Sequence, residues 1–552
     1  MKKPLILFFI ILTLIINHSS AQTVVVGSDQ DKTLVYQLSE HLNATPFIIP
    51  WGSTDEKYVN ELKNLNATEI IIIGGKYSVP ECFNIGNYKR FAGKDRVETA
   101  YLVLSNFYNI NCSGNLIFYP SKELILKTII EKRNWIIIEG NSPISKKWSK
   151  FIYYSLKKDH HGNKTVIYVG NINNNPQMRD NWNIKLPYIV SFCPAVIYYN
   201  NTLYITGSDE NLPSTIGRLF AKHITYEFND LLLFFIILLI TSAIFYYYIR
   251  SPYYIVALII SALWIFWHKY DFGIVWDALF VYLDGALSLL YLGHYETIIS
   301  GRSFCGLSYC LYVWFHIFKP SLESIVFYQI YMFFIMVGFI FLYFKRKFLG
   351  LIVMLILLGI PLFKKYILMF STELTFLTFL MIILHILKNF KGKNLEIIIL
   401  SLLTSISALV RVHSLAIPLI YAFYQKNKQS LLYLMLSIVL YLTLLFISGG
   451  EIYGYVGEIS TKGGISLDIF IKNVIFYLPK FLMDIAFPIT VLLTLFIIKR
   501  EKIIKNSSFK YYILTLAVVF LIMPLFWVAQ EERYLLTSVF LFTVAGFEFF
   551  DY

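Results

Sequence analysis

Asp271, Asp277 and Asp284 punctuate the stretch HKYDFGIVWDALFVYLDGALSL at residues 268–289, each set among bulky apolar neighbours. The run before it, YYIVALIISALWIFW, is apolar enough to lie inside a membrane. A carboxylate beside lipid is costly and is by default a functional group. Further on, Glu373, Arg411, His413 and Arg533 stand at or near the ends of other apolar runs. Carboxylates take or orient protons, and guanidinium groups fork onto phosphate or carboxylate oxygens. Whether these groups meet depends on how the chain crosses the bilayer.

The chain has 552 residues, 57% hydrophobic and 18% aromatic. An ordinary soluble chain is roughly 45–50% apolar. The excess is confined to one half. Residues 23–229 carry charges, Asn-rich turns and short apolar runs, whereas 231–552 are long apolar runs joined by short polar or basic loops. This reads as a soluble domain, 22–229, followed by a multi-pass membrane domain, 230–552. Lys2, Lys3, the apolar PLILFFIILTLII and the small residues SSA predict a signal peptide over 1–21, with an uncleaved anchor as the alternative. The soluble half is then exported. Its sequons, with acceptors Asn43, Asn66, Asn111, Asn163 and Asn200, are glycosylation candidates in keeping with that placement. Cys82, Cys112 and Cys193 share this half and leave any pairing open, while Cys305 and Cys310 are either a local pair or plain buried thiols.

Candidate spans cover about 231–249, 253–269, 325–343, 348–363, 367–387, 395–410, 412–425, 430–448, 479–498, 510–528 and 535–550. Starting outside, the first span turns inside at Arg250 and the second ends outside at His268 and Lys269. Residues 270–324, which include Arg302, become a large external loop. The alternation then puts the basic segments 345–347, 388–393, 426–428 and 499–505 inside, as the positive-inside rule requires, and leaves Lys364 and Lys365 as a mild exception. The C-terminus is cytoplasmic. The net charge of +13 is therefore membrane topology and not a nucleic-acid footprint. On this map Asp277, Asp284, Glu373, Arg411, His413 and Arg533 converge on the outer face, with Glu373 about two turns into its span.

The exported half alternates β-rich runs (TVVVG, EIIIIGG, NLIFYP, WIIIEG, TVIYVG) with helical stretches (DKTLVYQLSEHL, DEKYVNELKNL). Continuous apolar strands between helices predict an α/β domain with a parallel sheet covered on both faces. Residues 70–100, IIIIGGKYSVPECFNIGNYKRFAGKDRVETA, resemble the cell-wall-binding repeat type 2 of bacterial and archaeal surface proteins, with Arg90, Gly93, Asp95, Arg96, Glu98, Thr99 and Ala100 in the motif places. Physically, Asp95 can cap the following helix with Glu98 at the reciprocal position. The resemblance implies contact with a wall polymer.

The membrane half resembles the GT-C glycosyltransferases, in particular the protein mannosyltransferase-like and aminoarabinose transferase-like branches. The resemblance rests on four segments in order: WDALFVYLDGALSLLYLGHY, PLFKKYILMFSTELTFLTFLMIIL, LSLLTSISALVRVHSLAIPL and EERYLLTSVFLFTVAG. Ala278 stands where the family has a second acid, and CGLSYCL replaces its Pro-Pro-Leu. The candidate spans predict an all-α bundle of about eleven transmembrane helices. The resemblance implies sugar transfer from a polyprenyl- or dolichyl-phosphate donor to a cell-envelope glycan or surface-protein acceptor. Asp277 becomes the base, and Asp271, Asp284, Arg302, Glu373, Arg411, His413 and Arg533 become substrate-binding candidates. Asp284, seven residues from Asp277, would share its helical face about 10 Å away. No cofactor is implied with certainty, and a divalent metal is left open. The competing expectations are a transporter or lipid flippase, and a non-catalytic envelope protein that binds wall polymer.

Overall fold

A computed structural model describes residues 23–93, 99, 102–103, 106–107, 117–119, 125, 127, 135–139, 142–155, 165–169, 195–199, 202–206, 212, 215–216, 219, 228–269, 271–275, 278–297, 306–448, 467–499, 508–526 and 531–551. Asp277, Arg302, Asp95, Glu98, Asn111, Asn163 and Asn200 lie outside the described residues, as does the expected signal peptide.

The elements of the N-terminal half are β1 (Thr23–Ser28), α1 (Lys32–Leu42), β2 (Thr45–Ile49), α2 (Glu56–Asn64), β3 (Glu69–Ile73), β4 (Tyr88–Phe91), β5 (Ile117–Tyr119), β6 (Trp135–Glu139), α3 (Pro143–Ser155), β7 (Thr165–Val169), β8 (Ala195–Tyr199) and β9 (Thr202–Thr206). The helical half has α4 (Phe228–Ile249), α5 (Pro252–Trp267), β10 (Gly273–Ile274), a π-helical segment (Ala278–Leu283) running into α6 (Asp284–Leu292), α7 (Gly306–Trp314), α8 (Leu322–Tyr343), α9 (Lys347–Gly359), α10 (Pro361–Leu368), β11 (Met369–Phe370), α11 (Thr372–Lys388), α12 (Asn394–Val410), α13 (Ala416–Gln425), α14 (Lys428–Ile447), α15 (Leu467–Lys499), α16 (Ser508–Ile522) and α17 (Leu536–Glu548). The chain divides into two compact units. The first draws on 1–125 and 170–212; the second on 126–169, 213–455 and 465–552.

In the first unit β2, β1, β3 and β4 form a parallel sheet in that order. The continuous apolar runs feed both faces because side chains alternate along a strand. Val24, Val26, Ile70 and Ile72 pack with Leu62 of α2, Val79 and Phe83 on one side. Val25, Ile71 and Ile73 pack with Val35 and Leu38 of α1 on the other. The parallel sheet expected from those runs is thus present. The same unit contains an antiparallel pair, β8 with β9, that the strand–helix alternation did not foresee. Asn43 and Asn66 are exposed and adopt left-handed backbone, with φ of 49° and 47°, just after α1 and α2. Asparagine tolerates that conformation at a helix end.

In the second unit α3 connects the parallel strands β6 and β7, and the remainder is almost entirely helical. Among the described residues three helices are long and apolar enough to cross a membrane: α4, α8 and α14. The pair α9 and α10, bent by 83°, makes a fourth if counted as one span. That is fewer than the eleven spans expected. The shortfall has local causes. Pro361 restarts the helix after Ile360, and the chain then extends through β11, so the expected span at 367–387 begins at Thr372. Other apolar helices, such as α5 and α12, stop at 16 and 17 residues. Most side chains of α4 face outward, Leu239 at 68% and Ile240 at 56% exposure, whereas α8 is largely enclosed.

Candidate functional site

The second unit gathers charge at the ends of its helices. Pro361 turns the chain sharply, and Gln329 of α8 holds the end of α10 and the start of β11: its Nε2 donates to the carbonyls of Tyr366, Ile367 and Met369 at 3.1, 3.0 and 3.3 Å. Parallel pairing of β10 with β11 holds the same turn. Glu373 consequently sits in the first turn of α11, at the helix end, and not two turns within a span. The last turn of α12 delivers Arg411, and Gly306 lets α7 approach that turn. A Cβ on Gly306 would lie 2.4 Å from backbone atoms of Leu409 and Val410. A short 3₁₀ turn, Glu532–Leu535, delivers Arg533 ahead of α17.

These three ends meet. Arg411 Nη2 pairs with Glu373 Oε1, and Arg411 Nε donates to Thr372 Oγ1 at 3.3 Å. Arg533 Nε lies 3.9 Å from Glu373 Oε1 and pairs with Glu531. Both guanidinium carbons approach the Tyr534 ring, at 5.6 Å and 5.4 Å from its centroid. The Glu373 side chain is 2% exposed, Arg533 8% and Arg411 12%. Nearer solvent, Glu532 binds Lys480 of α15 and, at 3.3 Å, Lys365 of α10. The hydrogen bond from Lys480, then that from Lys365, hold the Glu532 carboxyl below its ordinary value. The Tyr477 hydroxyl accepts the Glu531 N–H at 3.0 Å, and Asp484 lies one turn beyond Lys480 on α15.

The arrangement fits anion binding more readily than proton abstraction. Two guanidinium groups and two ammonium groups converge from four chain segments, with carboxylates holding them in place. Glu373 is committed to Arg411, so its role here is to orient that cation. Arginine forks suit phosphate oxygens. Among the described residues no group of three or more His, Cys, Asp or Glu could hold a metal ion.

No family model matches the chain, and no solved structure matches it. It is 32% identical over 120 residues to an uncharacterized protein of Methanocaldococcus jannaschii, a match covering 20% of this chain and 35% of that protein. The chain thus matches about a third of that relative's length.

The other expected residues are placed differently. His413 stacks at a tilt on Phe520, ring centroids 6.5 Å apart, and makes no hydrogen bond to Glu373 or Arg411. Asp271 is exposed near the end of α5. Asp284 does not line an open groove: it is fully buried, 2.7 Å from Lys147 Nζ and accepting the Trp148 Nε1–H at 2.8 Å. The residues between it and Asp277 are π-helical. The 3.6-residue period that would place the two acids on one face therefore does not apply. Cys310 is a free thiol, and Cys305, its candidate partner, lies outside the described residues. Sequence reading passed over Lys480, Tyr477 and Asp484. The signal was Lys480, just after Pro479, and Asp484 one turn on, two charges in an otherwise apolar run. It also set Lys365 aside as a topological exception, although the structure makes it a partner of Glu532.

In the first unit Arg90 is a structural clamp. Its Nη1 donates to the carbonyls of Gly74 and Val79 at 2.9 and 2.8 Å, and Nη2 to Asn84 Oδ1 at 2.7 Å. Gly74, with φ of 110°, takes a backbone conformation that side chains rarely adopt. Thr99 Oγ1 accepts the Gly93 N–H at 2.9 Å. These members of the repeat-like motif stabilise a loop at the carboxyl end of β3.

Proposed function

We propose that the chain is a multi-pass membrane glycosyltransferase. It moves a sugar from a polyprenyl- or dolichyl-phosphate donor to an extracytoplasmic acceptor in cell-envelope glycan or glycoprotein assembly. One observation carries the reading. The segments STEL, LVRV and EERYL, far apart in sequence and each part of a family-like motif, supply the members of one buried charge cluster. The cluster's cations would neutralise the lipid phosphate as it departs. Asp277 takes the acceptor proton as the hydroxyl or amide attacks the anomeric carbon.

The spacing of charge along the helices supports a bilayer setting. Glu373 and Lys388 mark the two ends of α11, about 22 Å apart along its axis. At the Lys388 end the ammonium group binds Glu548 and Asp551 at 2.9 and 2.8 Å, and Asp551 also accepts the backbone N–H groups of Lys345 and Arg346. Apolar side chains dominate between. That separation approaches the hydrocarbon thickness of a bilayer, roughly 30 Å. The donor's tail would stay in lipid while its headgroup reaches the Arg411 end. The exported α/β region supplies contact with the acceptor or the wall.

The test is transfer of radiolabelled sugar from lipid-phosphate donors in membranes carrying the chain. Asp277→Asn keeps size and hydrogen bonding but removes basicity. Transfer is expected to fall about 10²–10⁴-fold. Absence of transfer from every polyprenyl- and dolichyl-phosphate sugar tried, or full activity in Asp277→Asn, overturns the proposal.

A further inference from the structure

Helix α3 lies in the exported half of the sequence, yet it belongs to the same compact unit as the helical half. Ser142 caps its start by accepting the Ser145 N–H at 3.0 Å. Its sequence, PISKKWSKFIYYS, holds lysines at 146, 147 and 150. Lys146 and Lys150 are exposed in the ordinary way, but Lys147 is 2% exposed and Trp148 is fully buried. A buried lysine is tolerated when it is paired and hydrogen-bonded. Lys147 Nζ lies 2.7 Å from Asp284 Oδ1 and donates to Ser288 Oγ at 2.8 Å. Trp148 Nε1 donates to the same Asp284 oxygen. Lys150 Nζ lies over the Tyr291 ring, 4.6 Å from its centroid, and Ser155 Oγ accepts the Leu322 N–H at 3.2 Å. One helix thus grips α6 through successive turns and reaches the start of α8.

We infer that α3 is a positioning clasp for the segment 278–292, with Lys147 and Trp148 as positioning residues that act through Asp284. The site residue they serve is Asp277, immediately before that segment, so the catalytic part of the inference rests on the glycosyltransferase reading. The clasp itself does not. A π-helical segment carries poorer backbone hydrogen bonding than an α-helix, and such segments occur at functional sites. Anchoring Asp284 from outside fixes the end of this one. Residues 126–169, which carry α3, are then a working part of the helical unit.

Two measurements on the full-length protein test the clasp without reference to transfer. In a Lys150→Cys/Tyr291→Cys protein, a short bifunctional thiol reagent is expected to join the two positions, located by mass spectrometry. Absence of that cross-link overturns the inference. Amide exchange across 278–297 is expected to accelerate about 10²–10⁴-fold in Lys147→Met, the factor corresponding to removal of one partner of a buried ion pair. Lys147→Arg should restore most of the protection, and Lys147→Met combined with Asp284→Leu should restore part of it. Unchanged exchange in Lys147→Met overturns the inference. In the transfer assay Lys147→Met is expected to lower kcat at least tenfold with donor KM within about twofold, and Lys147→Arg to recover it. An unchanged kcat removes the positioning role. A cross-link and slow exchange in a protein that transfers no sugar would leave the clasp standing and the glycosyltransferase reading refuted.

Discussion

Replacing Glu373 by Gln tests whether the buried cluster is built as a cation-holding site. The substitution keeps the side-chain size and an acceptor oxygen, and removes one charge. Arg411 and Arg533 then face each other with less compensation, both nearly buried. The Arg533 contact at 3.9 Å is worth about 4 kcal/mol of Coulomb energy at an effective dielectric near 20, before desolvation is subtracted. The Arg411 pair adds to this, and removing one partner of a buried pair typically costs about 3–5 kcal/mol. A net loss of about 3–5 kcal/mol is therefore expected for Glu373→Gln. Arg411→Gln alone should also destabilise. The double variant should cost less than the sum of the two, by at least about 1 kcal/mol, because the groups share one network.

The same arithmetic ties stability to anions. An anion that binds only the folded state stabilises it by RT ln(1 + [L]/Kd), about 2.7 kcal/mol at a hundred times Kd. With Glu373 neutralised, inorganic pyrophosphate should stabilise the variant more than the parent protein. The assay is unfolding of detergent-solubilised protein followed with and without pyrophosphate at constant ionic strength. Glu373→Gln lying within 1 kcal/mol of the parent, with no added response to pyrophosphate, would refute the reasoning.

Two further outcomes rest on the geometry. Arg90→Lys replaces a fork that serves three acceptors with a single ammonium group; the first unit should lose about 1–3 kcal/mol and the loop at 74–84 should become protease-sensitive, while equal stability and protection would show the clamp to be dispensable. Glu532 titrates below the usual range because Lys480 and then Lys365 favour its charged form. Its contribution is present above the ordinary glutamate pKa and is lost as pH falls through the lower folded value. Glu532→Gln should therefore flatten the acid limb of the stability–pH curve, and an acid limb identical to the parent's would exclude the tie.

The sequence made the first sheet legible because Val24–Val26 and Ile70–Ile73 are unbroken apolar runs, which only a sheet covered on both faces can bury. It made the meeting of Glu373, Arg411 and Arg533 legible because the ends of successive helices return the chain to one end of a helical bundle, whatever the precise helix lengths. What it hid were features decided by tertiary contact. Nothing in LFKKYILMFSTEL announces that Gln329 will hold the turn by three carbonyls and move Glu373 to the helix end. Nothing in SKKWSK distinguishes the inward lysine from its exposed neighbours, because the deciding partner, Asp284, lies 136 residues beyond Trp148. The same partner explains why Asp284 is not free to face substrate. A carboxylate gripped by an ammonium group and an indole N–H in a buried interior is an anchor, and under the proposed function Asp277, which precedes the anchored segment in sequence, is left as the candidate base. Charge periodicity can nominate acids on one stretch of chain; the groups that bury each acid determine whether it serves as an anchor or a base.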